Sequence, residues 1–234
     1  MKLDLIVVIP VYNEEEIIRF VIEDWVKCLD ELKINYRIKL YNDGSSDNTE
    51  RVIKEVLPSC PNIDLINKEN SGHGPTILRA YKDNLELADW IFQVDSDNEM
   101  SPSYFKFLWE AREKYDFLIG HRYNREFSFA RLILTTLSRI TIFSLFGRNI
   151  VDVNSPYRLF RARFFDKAIN LIPNTTFAPN IILSGVASRE GARTKSILVP
   201  YNFRTTGTVS LKQLKLLKIG LKCFKQTLQY RLGV

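Results

Sequence analysis

Cysteine and histidine are scarce in this chain: its 234 residues include three of the first and two of the second. Cys28, Cys60 and Cys223 are odd in number and far apart, with no CxxC and no metal-ligand spacing. That excludes a disulfide framework and fits a reducing, cytoplasmic setting. Long apolar runs are also missing. The nearest, Phe127–Phe146, is broken by Arg131 and Arg139, so the ~20 uncharged residues of a membrane span are not present. No secretory signal is expected, because the first apolar run follows Lys2 and Asp4 and stops at Pro10. The turn after that run carries neither GxGxxG nor GxxxxGK[ST], which argues against a Rossmann dinucleotide site and a P-loop. Internal repeats, low-complexity tracts and Gly/Ser linkers are absent as well.

What is there is an ordinary globular composition, 45% hydrophobic and 26% charged, which excludes a disordered chain. A chain of this length buries roughly 70% of its unfolded surface. The charge is unevenly spread. Residues 1–116 carry 14 Lys/Arg against 23 Asp/Glu, a net of −9, whereas residues 117–234 carry 19 against 4, a net of +15. A basic half of that size meets phosphates on nucleic acid, on a membrane surface or on an anionic ligand. No helix-turn-helix, zinc-finger or RNA-stacking motif accompanies it, so nucleic acid is not an expected partner.

Short apolar runs alternate with helical patterns through the first half. Leu5–Val11 is a continuous β-branched run of the kind a buried parallel strand shows. Helices are predicted over Glu14–Leu32, Asp47–Leu57, Pro75–Ala88 and Pro102–Tyr115, and strands over Tyr36–Tyr41, Ile63–Ile66, Trp90–Val94 and Asp116–Gly120. This alternation predicts an α/β fold with a mainly parallel central sheet flanked by helices. The second half predicts an apolar helix over Phe127–Phe146, strands over Tyr157–Phe160 and Ser196–Phe203, and helices over Phe164–Leu171 and Asn180–Arg189. From Leu211 onward a basic amphipathic helix is predicted. Leu214, Leu217, Leu221, Phe224 and Leu228 form one stripe, and Lys212, Lys215, Lys218, Lys222 and Lys225 form another. The commoner fate of such a stripe is to pack on the domain; the alternative is an anionic membrane surface.

In open α/β sheets ligands bind beyond the carboxyl ends of the strands. Four successive predicted strand ends carry polar clusters: Tyr12-Asn13-Glu14, Asn42-Asp43-Gly44-Ser45-Ser46, Ser71-Gly72-His73-Gly74, and Asp95-Ser96-Asp97-Asn98-Glu99. One such cluster is ordinary loop chemistry; four make a site. Asp95 and Asp97 can offer carboxylates to a hard divalent cation, Mg²⁺ or Mn²⁺, which favours oxygen ligands and keeps waters or substrate phosphates in its shell.

Taken together, the segments Val8-Ile9-Pro10-Val11-Tyr12-Asn13-Glu14, Asn42-Asp43-Gly44-Ser45-Ser46-Asp47-Asn48-Thr49, Gly72-His73-Gly74 and Asp95-Ser96-Asp97 resemble family 2 glycosyltransferases, inverting enzymes with the GT-A fold. Gly120-His121-Arg122-Tyr123 and Asp152-Val153-Asn154-Ser155-Pro156-Tyr157-Arg158 are similar to the dolichol-phosphate mannose synthase branch. The resemblance implies a GT-A domain over residues 1–210, with a nucleotide- and metal-binding half (1–120), an acceptor half (121–210) and the helix of 211–234 beyond. It implies that Pro10, Tyr12, Glu14, Gly72, His73, Gly74 and Ser96 line the nucleotide-sugar pocket and that Asp43 accepts hydrogen bonds from the base. Asp95 and Asp97 would hold metal and donor diphosphate, with Glu99 as a further ligand. Arg122 and Arg158 would meet phosphate, Asp97, Asp152 and Arg158 would be catalytic, and Asp152 would be the general base. His73 and His121 read as loop residues near phosphate rather than proton carriers.

The function so implied is transfer of a sugar from a UDP- or GDP-linked donor to a polyprenyl phosphate or other lipid-linked acceptor, peripheral to the cytoplasmic membrane face. A saccharide hydroxyl acceptor and a catalytically silent sugar-nucleotide-binding module are the alternatives. Asn42 departs from the family's first acid, and Pro156 stands where the synthase branch usually has glycine.

Overall fold

The computed structural model describes residues 2–123, 136, 140, 142–147, 152–201 and 213–233. Among these residues one sheet runs β3-β2-β1-β4-β6-β5-β7, built from β1 (Leu3–Val11), β2 (Tyr36–Asp43), β3 (Ile63–Lys68), β4 (Ala88–Gln93), β5 (Phe117–Tyr123), β6 (Arg158–Arg161) and β7 (Thr194–Pro200). Strands β1 to β4 are parallel, β7 is parallel to β5, and β6 is antiparallel to both β4 and β5. The helices are α1 (Ile18–Glu31), α2 (Thr49–Val56), α3 (His73–Lys82), α4 (Phe105–Ala111), α5 (Ala162–Leu171), α6 (Pro179–Arg189) and α7 (Gln213–Leu232). The expected α/β architecture with a mainly parallel sheet is present.

Strand β1 shows why its sequence lacks alternation. Successive residues point to opposite faces, and both faces are covered. Ile6 and Val8 join a cluster with Ile77, Leu78 and Tyr81 of α3 and with Phe165 and Ile182 from α5 and α6. Leu5, Val7, Ile9 and Val11 join the other cluster, with Val21 and Trp25 of α1 and Phe105 and Leu108 of α4. A strand buried on both sides must be apolar throughout. In the second layer, the Phe92 ring centroid lies 5.2 Å from Trp25, 4.7 Å from Phe105 and 4.8 Å from Tyr157. This aromatic knot ties the sheet to α1 and α4. Gly120 lets β5 approach Tyr157, where a Cβ would meet the ring at 2.8 Å.

Helix starts differ from the predicted ones for local reasons. Helix α1 begins at Ile18 rather than Glu14; a turn precedes it, in which the Ile17 and Ile18 N–H groups both donate to Glu14 O, while the Glu14 and Glu15 N–H groups reach Thr49 and Asp47. Helix α3 begins at His73, two residues before Pro75, where Gly72 turns the chain at φ +91°. It ends near Lys82, and Asn84 Nδ2 caps the freed Ala80 carbonyl at 2.6 Å. Of the helix expected over Phe127–Phe146, the structure describes Thr136, Ile140 and residues 142–146 as helical, with Ile142 and Phe146 buried. The remainder, Arg131 and Arg139 included, lies outside the described residues.

The carboxy-terminal helix turns a different face inward from the one expected to pack. Thr227 is buried, Cys223 and Tyr230 pack on the first cluster, and the Tyr230 hydroxyl reaches Ala168 O at 3.4 Å. Leu221 (71% exposed) and Phe224 (43% exposed), from the leucine stripe, face solvent. So do Lys218, Lys222 and Lys225. The side chains of Lys212, Leu214, Lys215 and Leu217 lie outside the described set. Leu228, the last residue of the stripe, is half-buried. No helix among the described residues is long and apolar enough to cross a membrane.

The aromatic knot yields a stability test. Phe92→Ala removes the ring shared by three aromatic contacts and is expected to cost about 3–5 kcal/mol. Urea unfolding of the two proteins measures it; a loss below half the lower figure shows that the knot relaxes into the gap.

Candidate active site

The order β2-β1-β4 places β1 at a switch in strand order, where an α/β sheet opens a crevice at its carboxyl edge. A cleft of about 650 Å³ occupies that edge. Pro10, Tyr12 and Glu14 wall it from β1, Asp43 from β2, Gly72 and His73 from the start of α3, and Asp95, Ser96 and Asp97 from the end of β4. Of the residues expected to bind nucleotide and sugar, only Gly74 and Arg122 stand outside this cleft. Both line a second, smaller one of about 200 Å³.

The first wall is made by lacing two loops together. Asn13 adopts a left-handed conformation (φ +54°), which asparagine tolerates better than most residues. Its Oδ1 accepts the Ser46 N–H at 2.8 Å, and its own N–H donates to Ser45 Oγ at 3.0 Å. Glu14 N–H donates to Thr49 Oγ1 at 2.8 Å, and Asn48 N–H donates to Glu15 Oε2 at 2.8 Å. Tyr12 is left half exposed on the cleft wall. Asn42 belongs to this scaffold. It is buried, donating to Asn67 Oδ1 at 2.9 Å and accepting from the Ser45 N–H at 3.1 Å. A carboxylate there could not donate to Asn67, so the amide that stands in place of the family's first acid serves the scaffold of the wall.

Asp43 organises the opposite wall. Its carboxylate accepts from the Lys68 ammonium, from Ser71 N–H at 2.8 Å and from Gly72 N–H at 2.9 Å. Burial alone would raise its pKa. The Lys68 ammonium, with the Ser71 N–H, outweighs that and holds it below the usual carboxylate value. Lys68, which the sequence reading missed, also donates to Glu69 O at 2.6 Å, Ser71 Oγ at 2.8 Å and Thr76 Oγ1 at 3.2 Å. Its only signal was a lysine on the last residue of a strand. Gly72 spends its N–H on Asp43 and supplies the positive φ.

Asp95 is supported from behind by buried polar groups. Gln93 is fully buried; its Nε2 lies 3.4 Å from Asp95 Oδ1, and its Oε1 accepts from Asn180 Nδ2 at 2.9 Å. Asn180 is in turn held by Arg158, whose Nη1 donates to the Asn180 carbonyl at 3.0 Å. Asp97 Oδ1 accepts the Glu99 N–H at 3.2 Å. His73 Nε2 stands 3.6 Å from Asp95 Oδ1. No group of three His, Cys, Asp or Glu side chains converges among the described residues. Glu99 lines the smaller cleft rather than joining Asp95 and Asp97 in the larger one. Two carboxylates with open space before them suit Mg²⁺ or Mn²⁺, which fills its shell with waters and substrate phosphates. The donor set therefore fits a divalent ion held by Asp95 and Asp97.

The smaller cleft shares His73 and Asp95 with the larger one and adds Arg122, Asn154, Pro156 and Phe177. Arg122 is clamped by Asp152, Nε to Oδ2 and Nη2 to Oδ1, both at 2.8 Å. Burial would lower the Arg122 pKa; Asp152 more than offsets this and keeps it raised. Two expectations are corrected here. Arg158 does not reach either cleft: it is fully buried, and its guanidinium donates to the carbonyls of Ser155, Asn180 and Val153. Asp152 is not poised as a general base, since both its oxygens accept from Arg122. Gly74 serves packing. A Cβ there would lie 1.9 Å from Phe177 O, so only glycine lets segment 176–177 lie on α3. His121 lines neither cleft, and among the described residues its buried Nδ1 finds no hydrogen-bond partner.

A parallel-sheet crevice with an Asp-x-Asp end and side-chain grips in place of a glycine loop defines the GT-A class of nucleotide-sugar proteins. The profile of glycosyl transferase family 2 matches residues 6–170, and the chain belongs to that family. It is 30% identical over 216 residues to undecaprenyl-phosphate 4-deoxy-4-formamido-L-arabinose transferase of Proteus mirabilis (strain HI4320), covering 91% of this chain and 64% of that one. The Serratia proteamaculans (strain 568) protein of the same name is 29% identical with the same coverage. The chain thus spans just under two thirds of these relatives. Among solved structures it resembles glucosyl-3-phosphoglycerate synthase from Mycobacterium tuberculosis in complex with Mn²⁺, UDP and phosphoglyceric acid. That likeness has a TM-score of 0.70 at 16% identity and covers 99% of this chain and 79% of that one. It also resembles S. aureus TarS 1–349 in complex with UDP-GlcNAc, with a TM-score of 0.59 at 14% identity, covering 95% and 72%. Likenesses this remote establish the shared fold.

Asp43 gives the second test. Asp43→Asn is expected to cost about 1–3 kcal/mol at neutral pH, because Lys68 keeps its other acceptors. A carboxylate with a lowered folded pKa stabilises fully above its unfolded value and loses that contribution as pH falls through the folded one. The stability gap between the two proteins should therefore be flat above about pH 5 and narrow below about pH 4. Urea titrations at pH 7, 5 and 3 decide; a gap that widens in acid removes Asp43 as the charged anchor.

Proposed function

We propose that the chain transfers a sugar, with inversion, from a nucleoside-diphosphate sugar to a polyprenyl phosphate. The observation that carries this reading is the meeting of two clefts at Asp95 and His73. The larger, lined by residues 10 to 97, takes the donor; the smaller, reaching Arg122 and residues 154–180, takes the acceptor. On this reading residues 1–120 supply the donor cleft, and residues 121–210 supply the far wall of an acceptor cleft whose near wall is His73, Gly74, Asp95 and Glu99. The polyprenyl phosphate follows the relatives' names, and a uracil nucleotide follows the ligands named for the solved neighbours.

The donor's nucleoside lies between Tyr12 and Asp43, with its diphosphate toward Asp95 and Asp97. Asp95 and Asp97 would hold Mg²⁺ or Mn²⁺, which would neutralise charge on the departing diphosphate. Arg122 presents guanidinium N–H groups to the acceptor phosphate, and Asp152 keeps that guanidinium charged and oriented. A phosphate oxygen is already anionic, so no side chain need take its proton. Asp97→Ala should abolish Mn²⁺-dependent UDP binding and lower transfer on the order of 10²–10³-fold, as loss of one charge-stabilising group does. Calorimetry and turnover of the folded variant test this, and full transfer in that variant would sink the metal role.

The proposed setting is the surface of an anionic membrane. The exposed Leu221, Phe224, Lys218, Lys222 and Lys225 belong to α7, which has no acidic residue. Each lysine near an anionic bilayer contributes about 1 kcal/mol. Reversing Lys218, Lys222 and Lys225 to glutamate should then cut partition onto phosphatidylserine vesicles on the order of 100-fold or more. Equal sedimentation of the reversed and native chains would defeat the membrane reading and leave the transferase reading standing.

A further inference from the structure

Segment 172–179 forms the outer wall of the smaller cleft through Phe177, Ala178 and Pro179. Three contacts hold it. Lys82 Nζ donates to Ile172 O at 2.8 Å and to Asn174 Oδ1 at 2.7 Å. The Thr176 and Phe177 carbonyls lie against Gly74 of α3, next to His73. On the opposite side, the Gln226 amide of α7 grips the backbone twice: its Oε1 accepts the Phe177 N–H at 2.9 Å, and its Nε2 donates to Thr175 O at 3.2 Å. One turn earlier on that helix, the Lys222 ammonium stands 5.5 Å from the Phe177 ring centroid.

We infer that Gln226 is a positioning residue for the acceptor, joining the solvent-facing helix α7 to the cleft wall so that the two move as one piece. This role rests on the transferase reading above. Elsewhere α7 is pinned to the body through Tyr230 and through Arg231, whose Nε donates to Leu145 O at 3.1 Å. Gln226 is its hydrogen-bonded contact with the wall. Glutamine suits the task because one planar amide both donates and accepts, satisfying backbone groups on either side of Thr176. With that grip lost, Phe177 keeps its packing on Gly74 but is held less firmly beside His73 and Asp95, while the donor cleft, walled by residues 10 to 97, keeps its shape. A long-chain acceptor reaches the cleft past Phe177, which is 38% exposed at its lip. Docking of α7 on a lipid surface then presents the cleft with its wall in place.

The test uses the full chain, Gln226→Ala and Gln226→Glu, with farnesyl phosphate as acceptor probe and UDP with Mn²⁺ as donor-side probe. Hydrogen exchange at the Phe177 amide should rise at least 10-fold in Gln226→Ala, with exchange in α1 unchanged. Farnesyl phosphate affinity should fall at least 5-fold, while UDP affinity stays within twofold. Gln226→Glu, which can still accept from Phe177 but not donate to Thr175, should fall between. Unchanged exchange at Phe177 overturns the grip, and unchanged farnesyl phosphate affinity with raised exchange overturns the positioning role. Failure of the wild-type chain itself to bind farnesyl phosphate, with UDP bound, overturns the acceptor reading and this role with it.

Discussion

A strand covered on both faces can place polar side chains only at its ends, and the active-site edge of this molecule follows from that constraint. Strand β1 is sealed by helices on both sides, and β2 and β4 flank it in parallel. The polar groups of Tyr12, Asp43 and Asp95 therefore gather at one edge, arriving from three strands at once. A buried relay then stiffens the most demanding position: Arg158 holds Asn180, Asn180 holds Gln93, and Gln93 approaches Asp95. Burying such polar groups is tolerable because each finds partners. In exchange, Asp95 is set against a frame that reaches from β6 to α6, across the sheet.

Much of this frame was legible in the sequence because it depends on local pattern. The unbroken apolar run of Leu5–Val11 announced a doubly covered strand, and the polar clusters behind each run announced the crevice. What pattern could not show was which face of a side chain the tertiary structure would use. Arg122 and Arg158 look alike in sequence, each at or near a short strand in the basic half. One opens on a cleft and the other is sealed beneath it, its guanidinium enclosed by the carbonyls of Val153, Ser155 and Asn180. Lys68, Gln226 and Phe177 escaped notice for a related reason. The contacts that give them their roles, Lys68 to Asp43, Gln226 to Phe177 and Thr175, and Phe177 to Gly74, span 25, 49 or 51, and 103 residues, so no spacing rule marks them.

The carboxy-terminal helix shows how far an amphipathic pattern can mislead. A stripe of leucines suggests the packed side, yet the packed side is Cys223, Thr227 and Tyr230. The inward face is chosen by the partners it finds, among them Ala168 O for the Tyr230 hydroxyl, rather than by the most apolar stripe. Leucine and phenylalanine left outside beside lysines then form a face with apolar and cationic parts together, which is the composition of an interfacial helix.

The clamp between Arg122 and Asp152 bears on which acceptor the site can serve. A hydroxyl acceptor must lose its proton as it attacks, and a carboxylate engaged by two guanidinium N–H groups is a poor place for that proton. A phosphate acceptor brings its own negative charge and needs a cation to receive it. Arg122, held charged by Asp152 against the effect of burial, supplies one within the cleft that also contains Asp95. The same ion pair that argues against Asp152 as a base fixes the Arg122 guanidinium in one orientation at the cleft. On the proposed reading, the acceptor phosphate approaches the donor between a guanidinium on one side and the Asp95–Asp97 pair on the other.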